Sequence, residues 1–166
     1  CTFPAGSPPM RTDRRPAALA GSILLWFLSG PAAGLEPAHL VAGFPRGQGV
    51  LETSGPRCLL VDLFMASTPA QRTQGLMFVE SLGEFEGMYF GYGTPRELVM
   101  WMKDTVLPLD MLFIRADGTV ASIARDTEPF STKRISSEGA VVGVLELNAG
   151  FARHWRVAPG TRFLLL

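Results

Sequence analysis

The chain has 166 residues, 47% of them hydrophobic and 18% charged, a composition that excludes intrinsic disorder and sets an expectation of one globular domain. Fifteen basic residues balance fifteen acidic ones. Without residues 1–34, which hold Arg11, Arg14, Arg15 and Asp13, the remainder carries a small acidic excess, so nucleic acid, whose phosphates call for a basic patch, is not an expected partner.

Residues 1–34 read as a secretory leader with an upstream extension. Met10 to Arg15 is a basic start, Ala17 to Leu28 an apolar run, and Ser29 to Gly34 a stretch of small residues fit for cleavage after Ala33 or Gly34. Met10 is the expected true start. The apolar run is short for a bilayer span; the alternative to cleavage is an uncleaved N-terminal anchor. The expectation is export, to a periplasmic or extracellular location, with no membrane span after cleavage. Cys1 leaves with the leader on this reading, so Cys58 is expected to be a lone, buried and inert thiol.

Residues 35–57 are rich in Gly and Pro and hold no period, and read as a linker or loose lead-in to a single β domain over 58–166. Alternation over Leu59–Ala66 predicts a strand. Thr68, Pro69 and Gln71 spell a capping box for one short helix that Gly75 can end. Gly87–Tyr92 predicts a strand, Gly93-Thr94-Pro95 a turn, and Leu98–Lys103 a further strand with Trp101 and Lys103 on one face. Asp104–Pro108 interrupts, and Leu109–Arg115 resumes. Asp117-Gly118 predicts a hairpin with a two-residue turn of positive φ. Arg125–Gly139 reads as a loop, Val141–Asn148 as a strong strand, Phe151–Trp155 as one helical turn and Phe163–Leu166 as a last strand. Many strands with one short helix predict an all-β sandwich or barrel.

No metal spacing, phosphate loop or histidine-supported nucleophile is present in the sequence, so no metal and no cofactor are expected. The methionines, which as thioethers could suit Cu(I), fall on core faces and read as core filling. The distinctive run is Val99 to Asp110. Trp101 beside Lys103, with Asp104, Thr105 and Asp110 at the following turn, is the composition that stacks and orients a small polar ligand. The competing reading packs Trp101 in the core and spends Asp104, Thr105 and Asp110 on turn hydrogen bonds and a pairing base. Glu146 shares a strand face with Val142, Val144 and Asn148, and a carboxylate among apolar neighbours needs a partner or a raised pKa. Lys103 and Arg72 are the candidate partners.

Gly75-Leu76-Met77, Gly87-Met88, Trp101-Met102-Lys103-Asp104-Thr105, Pro108-Leu109-Asp110, Asp117-Gly118 and Leu145 to Gly150 occur in the order found in a known family. The chain resembles, over roughly residues 58–166, the uncharacterised prokaryotic proteins grouped as domain of unknown function 192. The resemblance implies a compact β-barrel or jelly-roll-like sandwich, often behind a signal peptide, and no established activity, substrate or cofactor. The family usually has Glu where this chain has Gln71, and Asn where it has Asp104. The expected function is a binding module of the cell envelope. A small polar or anionic ligand would be held by Arg72 and Lys103, stacked on Trp101 and oriented by Asp104, Thr105, Asp110 and Glu146. The alternatives are a hydrolase or lyase with Asp104 or Asp110 as base and Glu146 as proton donor, and a structural or protein-interaction domain with an exposed apolar patch.

Overall fold

The computed structural model of the chain describes residues 43–53 and 58–166; the expected leader and its cleavage point lie outside them. The elements follow in the order β1 (Arg46–Glu52), β2 (Cys58–Ala66), α1 (Pro69–Gln74), β3 (Glu86–Met100), β4 (Leu109–Ile114), β5 (Val120–Ala124), β6 (Ile135–Asn148), α2 (Phe151–His154) and β7 (Arg162–Leu165). The strands form one sheet in the order β5-β4-β6-β3-β2-β1-β7. The fold is all-β and compact, as the strand pattern predicts, with two short helices.

Every strand pairing in this sheet is antiparallel except β2 with β3. A parallel pair needs a crossover, and α1 with the strap 75–85 provides it. The sheet curls into a half-barrel whose two edges touch at one end. There Val120 N donates to Thr161 O (2.8 Å) and Phe163 N to Gly118 O (2.7 Å), and Thr119 bridges Arg162. Leu51, Leu63, Leu112, Leu145, Leu147 and Phe163 fill the concave side, with Phe151 of α2 packed among them. Phe64, Met88, Phe90, Met111, Phe113 and Val144 occupy the convex side, under Leu76 and Val79 of the strap. Alternate residues of β4 and β6 therefore serve two cores, and both faces are buried over β4 and over Val141–Leu147 of β6, apart from partly exposed Val142.

Four local expectations are corrected. The stretch 35–57, expected as a loose lead-in, contributes β1, paired with both β2 and β7. Its glycines are spacers: a Cβ on Gly49 would lie 2.4 Å from Cε2 of the Phe163 ring. The strand thus lacks the side-chain alternation by which a sequence reveals it. The turn at Gly93–Pro95 does not divide two strands. β3 runs through it, and residues 92–95 bulge out between Gly91, paired with Gly143, and Arg96, paired with Val141. β6 begins at Ile135, inside the expected loop. The β4–β5 hairpin forms, but only Gly118 (φ 80°) has positive φ. Arg115 N donates to Thr119 O (2.8 Å) and Gly118 N to Arg115 O (3.0 Å), a longer turn than two residues, in which Asp117 Oδ1 accepts from Thr119 N (2.9 Å).

Cys58 is also corrected: it is partly buried and disulfide-bonded, not a free thiol.

Gly49→Val is expected to lower stability by roughly 1–3 kcal/mol, the usual cost of overpacking a filled site. Urea unfolding of the two proteins measures it as a lower midpoint at unchanged slope.

Candidate functional site

Glu146 stands on the convex face of β6. Its Cα is opposite Met88 of β3 and Met111 of β4, both fully buried. The residue is 4% exposed, and among the described residues no hydrogen bond or ion pair engages its carboxyl group. Removal from water without a compensating partner disfavours the charged form, and burial pushes the Glu146 carboxyl up to about 8. At neutral pH it is mostly a protonated acid, able to donate a hydrogen bond.

The crossover lies over it. The expected capping box forms in full: Gln71 N donates to Thr68 Oγ1 (3.2 Å) and Thr68 N to Gln71 Oε1 (3.0 Å). Gln71 Nε2 also donates to Gly43 O (2.9 Å), a bond that the usual glutamate of the resembled family could not make as an acceptor-only carboxylate. Gly75 ends the helix at φ 49° with its N–H on Gln71 O. Its lack of a Cβ leaves room for the Phe90 ring, 3.2 Å from where that atom would be. α1 carries Arg72 inward. Arg72 Nη1 donates to Ser67 O (2.5 Å) and Gly91 O (3.0 Å), and its guanidinium lies 4.7 Å from the centroid of the Tyr92 ring. Arg96, after the bulge, lies 4.7 Å from the same ring. Neither guanidinium has a carboxylate partner among the described residues.

The loop after β3 closes the other side. Met102 is buried and its N–H donates to Ser131 O (2.9 Å), so Trp101 and Lys103 on either side point outward. Asp104 takes φ 54°, a left-handed turn that Asn and Asp adopt most readily among residues with a side chain. The alternation of these two residues at this position thus has a backbone reason. Asp104 O accepts from Phe78 N (2.9 Å), Thr105 N donates to Met102 O (3.1 Å), and Thr105 Oγ1 donates to Lys103 O (3.2 Å).

A chamber of about 30 Å³ results, lined by Arg72, Trp101, Lys103, Thr105 and Glu146 with apolar walls from Leu76, Met77, Phe90 and Met100. An open groove of about 300 Å³ adjoins it, with Arg72, Thr73, Met100 and Trp101 common to both, and Pro69, Tyr92 and Val99 on its other walls. Five of the seven expected residues therefore meet at one place. Asp104 and Asp110 do not line it. Asp104 is half-exposed and lies 4.0 Å from Lys103 Nζ. Asp110 is fully buried and is corrected from ligand contact to backbone anchor: its Oδ1 accepts from Asp126 N (2.9 Å) and its Oδ2 from Ala152 N in α2 (2.8 Å). Its place on β4 turns it away from Glu146, because adjacent strand positions face opposite sides and Met111 is the residue opposite Glu146. Lys103 and Arg72 share the chamber with Glu146 without pairing to it. Trp101 is 52% exposed, outside the core and beyond the end of β3, not on a strand face with Lys103. Tyr92 and Arg96 were not among the expected residues; the Gly93-Thr94-Pro95 signal hid the bulge that brings them to Arg72. Among the described residues no group of His, Cys, Asp and Glu could hold a metal ion, and no helix is long and apolar enough to cross a membrane.

Two measurements test these placements. Glu146 is protonated in the folded chain up to about pH 8 but ionises near the ordinary carboxylate value when unfolded. Its contribution is therefore complete below about pH 4.5 and falls as pH rises to about 8, by about 1.4 kcal/mol per pH unit at most. Glu146→Gln is expected to be stabilised relative to the parent increasingly across that window, as read from urea midpoints at several pH values. Asp110→Ala is expected to lose roughly 1–3 kcal/mol by leaving two backbone N–H groups unsatisfied, measured by the same unfolding.

No curated protein matches the chain. Two crystal structures are similar to it. A candidate transcription regulator from Sinorhizobium meliloti 1021 shares 40% identity, with a TM-score of 0.72, over 74% of this chain and 95% of its own. A protein of unknown function from Novosphingobium aromaticivorans DSM 12444 shares 31% identity, with a TM-score of 0.71, over 79% of this chain and 93% of its own. Residues 50–165 match the family DUF192, described as Uncharacterized ACR. The chain belongs to that family of domain of unknown function 192.

Proposed function

We propose that the chain is a binding module for a small anionic ligand, seated in the groove beside Trp101 with one polar atom reaching the chamber. The observation that carries this reading is the pair of guanidiniums, Arg72 and Arg96, set against one Tyr92 ring with no carboxylate compensating either among the described residues. Arg72 lines both the chamber and the groove, and Arg96 beside the same ring adds to the positive potential there, which favours an anion. The Glu146 acid and Lys103 add donors, and exposed Trp101 adds a flat apolar wall. The chamber is close to one water's share of liquid volume, so only the tip of a ligand fits there and its body lies in the groove. Action in the cell envelope after export belongs to the same proposal and rests on the leader-like residues 1–34.

The paired-carboxylate reading loses support, because Glu146 is the only carboxyl group lining the chamber. The description of the Sinorhizobium meliloti protein as a candidate regulator is not carried over, given the acidic excess beyond the leader. A protein-interaction role is the second reading. Phe78 and Phe130 are 64% and 61% exposed, and both take left-handed backbone (φ 64° and 60°) that is uncommon for bulky residues. Their N–H groups bond Asp104 O and Thr105 O, so these two exposed aromatic residues are anchored to the same loop that carries Trp101.

The test is a thermal-shift and calorimetric titration of the chain with inorganic phosphate, acetate, succinate and benzoate, beside Trp101→Ala, Arg96→Ala and Lys103→Ala, all exposed positions. Binding by at least one anion, weakened about tenfold or more in Lys103→Ala by the loss of one charge-assisted contact and weakened less in Arg96→Ala, is expected. If no anion raises the melting temperature of the parent, the reading fails and these exposed aromatic residues become the site to pursue.

A further inference from the structure

A second cleft, of about 800 Å³, lies at the other end of the strap and has no part in the anion site. Leu82, Glu84, Asn148, Arg153, His154 and Trp155 line it. Asn148 stands two residues beyond Glu146 on the same face of β6. Its Nδ2 donates to Leu82 O (3.3 Å) and Gly83 O (3.0 Å). These bonds tie the strap to the sheet and fix the amide, because only its nitrogen can face two carbonyls. The amide oxygen keeps its lone pairs for another donor.

Trp155 is held in place by rings. Its indole centroid is 5.2 Å from Phe85, 6.3 Å from Phe151 and 4.8 Å from His154, the last edge-on. Among the described residues its N–H, the His154 imidazole and the Glu84 carboxylate have no hydrogen-bond or ion-pair partner. Arg153 does have one, its Nη1 lying 3.3 Å from Asp126 Oδ2. The single guanidinium here is thus compensated, unlike those beside Tyr92. The cleft offers one immobilised aromatic plate and a rim of uncommitted groups of both kinds, donors on Trp155 and His154 and acceptors on Asn148 and Glu84.

We propose that this cleft binds carbohydrate, a neutral saccharide ring lying against Trp155. A pyranose has an apolar C–H face suited to an indole plate, and hydroxyls that each donate and accept, matching the mixed rim. A small anion would gain little beside Glu84 and the neutralised Arg153, and a purely apolar ligand would strand the polar rim unsatisfied. The volume of about 800 Å³ and the open mouth suit two or three linked rings better than a single buried one.

The full chain is titrated with chitotriose, cellotriose and maltotriose, following tryptophan fluorescence and binding heat. Saturable binding of at least one is expected, weakened about tenfold by Glu84→Gln or His154→Ala for one lost hydrogen bond and unchanged by Lys103→Ala at the other site. Both variants are at exposed positions. Trp155→Ala, whose ring supports Phe85 and Phe151, is read only if its unfolding midpoint matches the parent. The proposal is overturned if none of the three binds below about 10 mM, a level weaker than specific recognition, or if binding survives both rim variants undiminished. Because Lys103→Ala and the anion titrations report on the first site alone, failure of either proposal leaves the other standing.

Discussion

Both faces of β6 are buried over Val141–Leu147, apart from partly exposed Val142, and this governs what that stretch of the strand can carry. Leu145 and Leu147 fill the concave core and Val144 the convex one, so a polar side chain on β6 must find a partner or stay neutral. Asn148 at the strand end finds carbonyls of the strap. Glu146, between Met88 and Met111, finds none and keeps its proton. A buried acid with no partner is costly to a fold. Here it lies at the floor of a chamber whose walls come from three other segments of chain, 72–77, Phe90 and 100–105.

Those segments are held mostly by bonds that do not involve Trp101 or the Lys103 side chain. α1 has its own capping box, the strap is pinned through Asn148, and the 101–105 loop is bonded on both sides, to Phe78 and to Phe130 and Ser131. Trp101 and Lys103 therefore sit on a frame that does not need them, as ligand groups supported from behind can afford to be exchanged, whereas Arg72 also helps to hold it, through Ser67 O and Gly91 O. Asp110 is part of that frame. One carboxylate joins β4 to α2 and to the segment after β5, which places the α2 cleft relative to the sheet.

Two chemically different clefts lie at opposite ends of the strap. On the Gly75 side, the Arg72 guanidinium, without a carboxylate partner among the described residues, shares a chamber with a protonated acid. On the Leu82 side, the one guanidinium is paired and an indole is packed among three rings. Charge compensation is the property that divides them, and it is why different ligand classes are assigned to each.

Sequence alone determined what depends on near neighbours. The capping box at Thr68–Gln71 is local chemistry and formed as its residues specify. Alternation over Leu59–Ala66 and Val141–Asn148 identified strands because each face there has its own kind of side chain. The isolation of Glu146 among apolar residues was legible for the same reason. Tertiary structure decided everything that rests on contacts across the chain. Gly47 and Gly49 form a strand because Met65 and Phe163 fill the space their side chains would need, which no pattern within residues 35–57 could display. Tyr92 reached the groove through a bulge, with Arg96 beside its ring. Asp110 left it because two distant N–H groups claimed its oxygens. Whether a polar residue is a ligand contact or a structural anchor depends on which groups fold against it, and spacing along the chain does not contain that information.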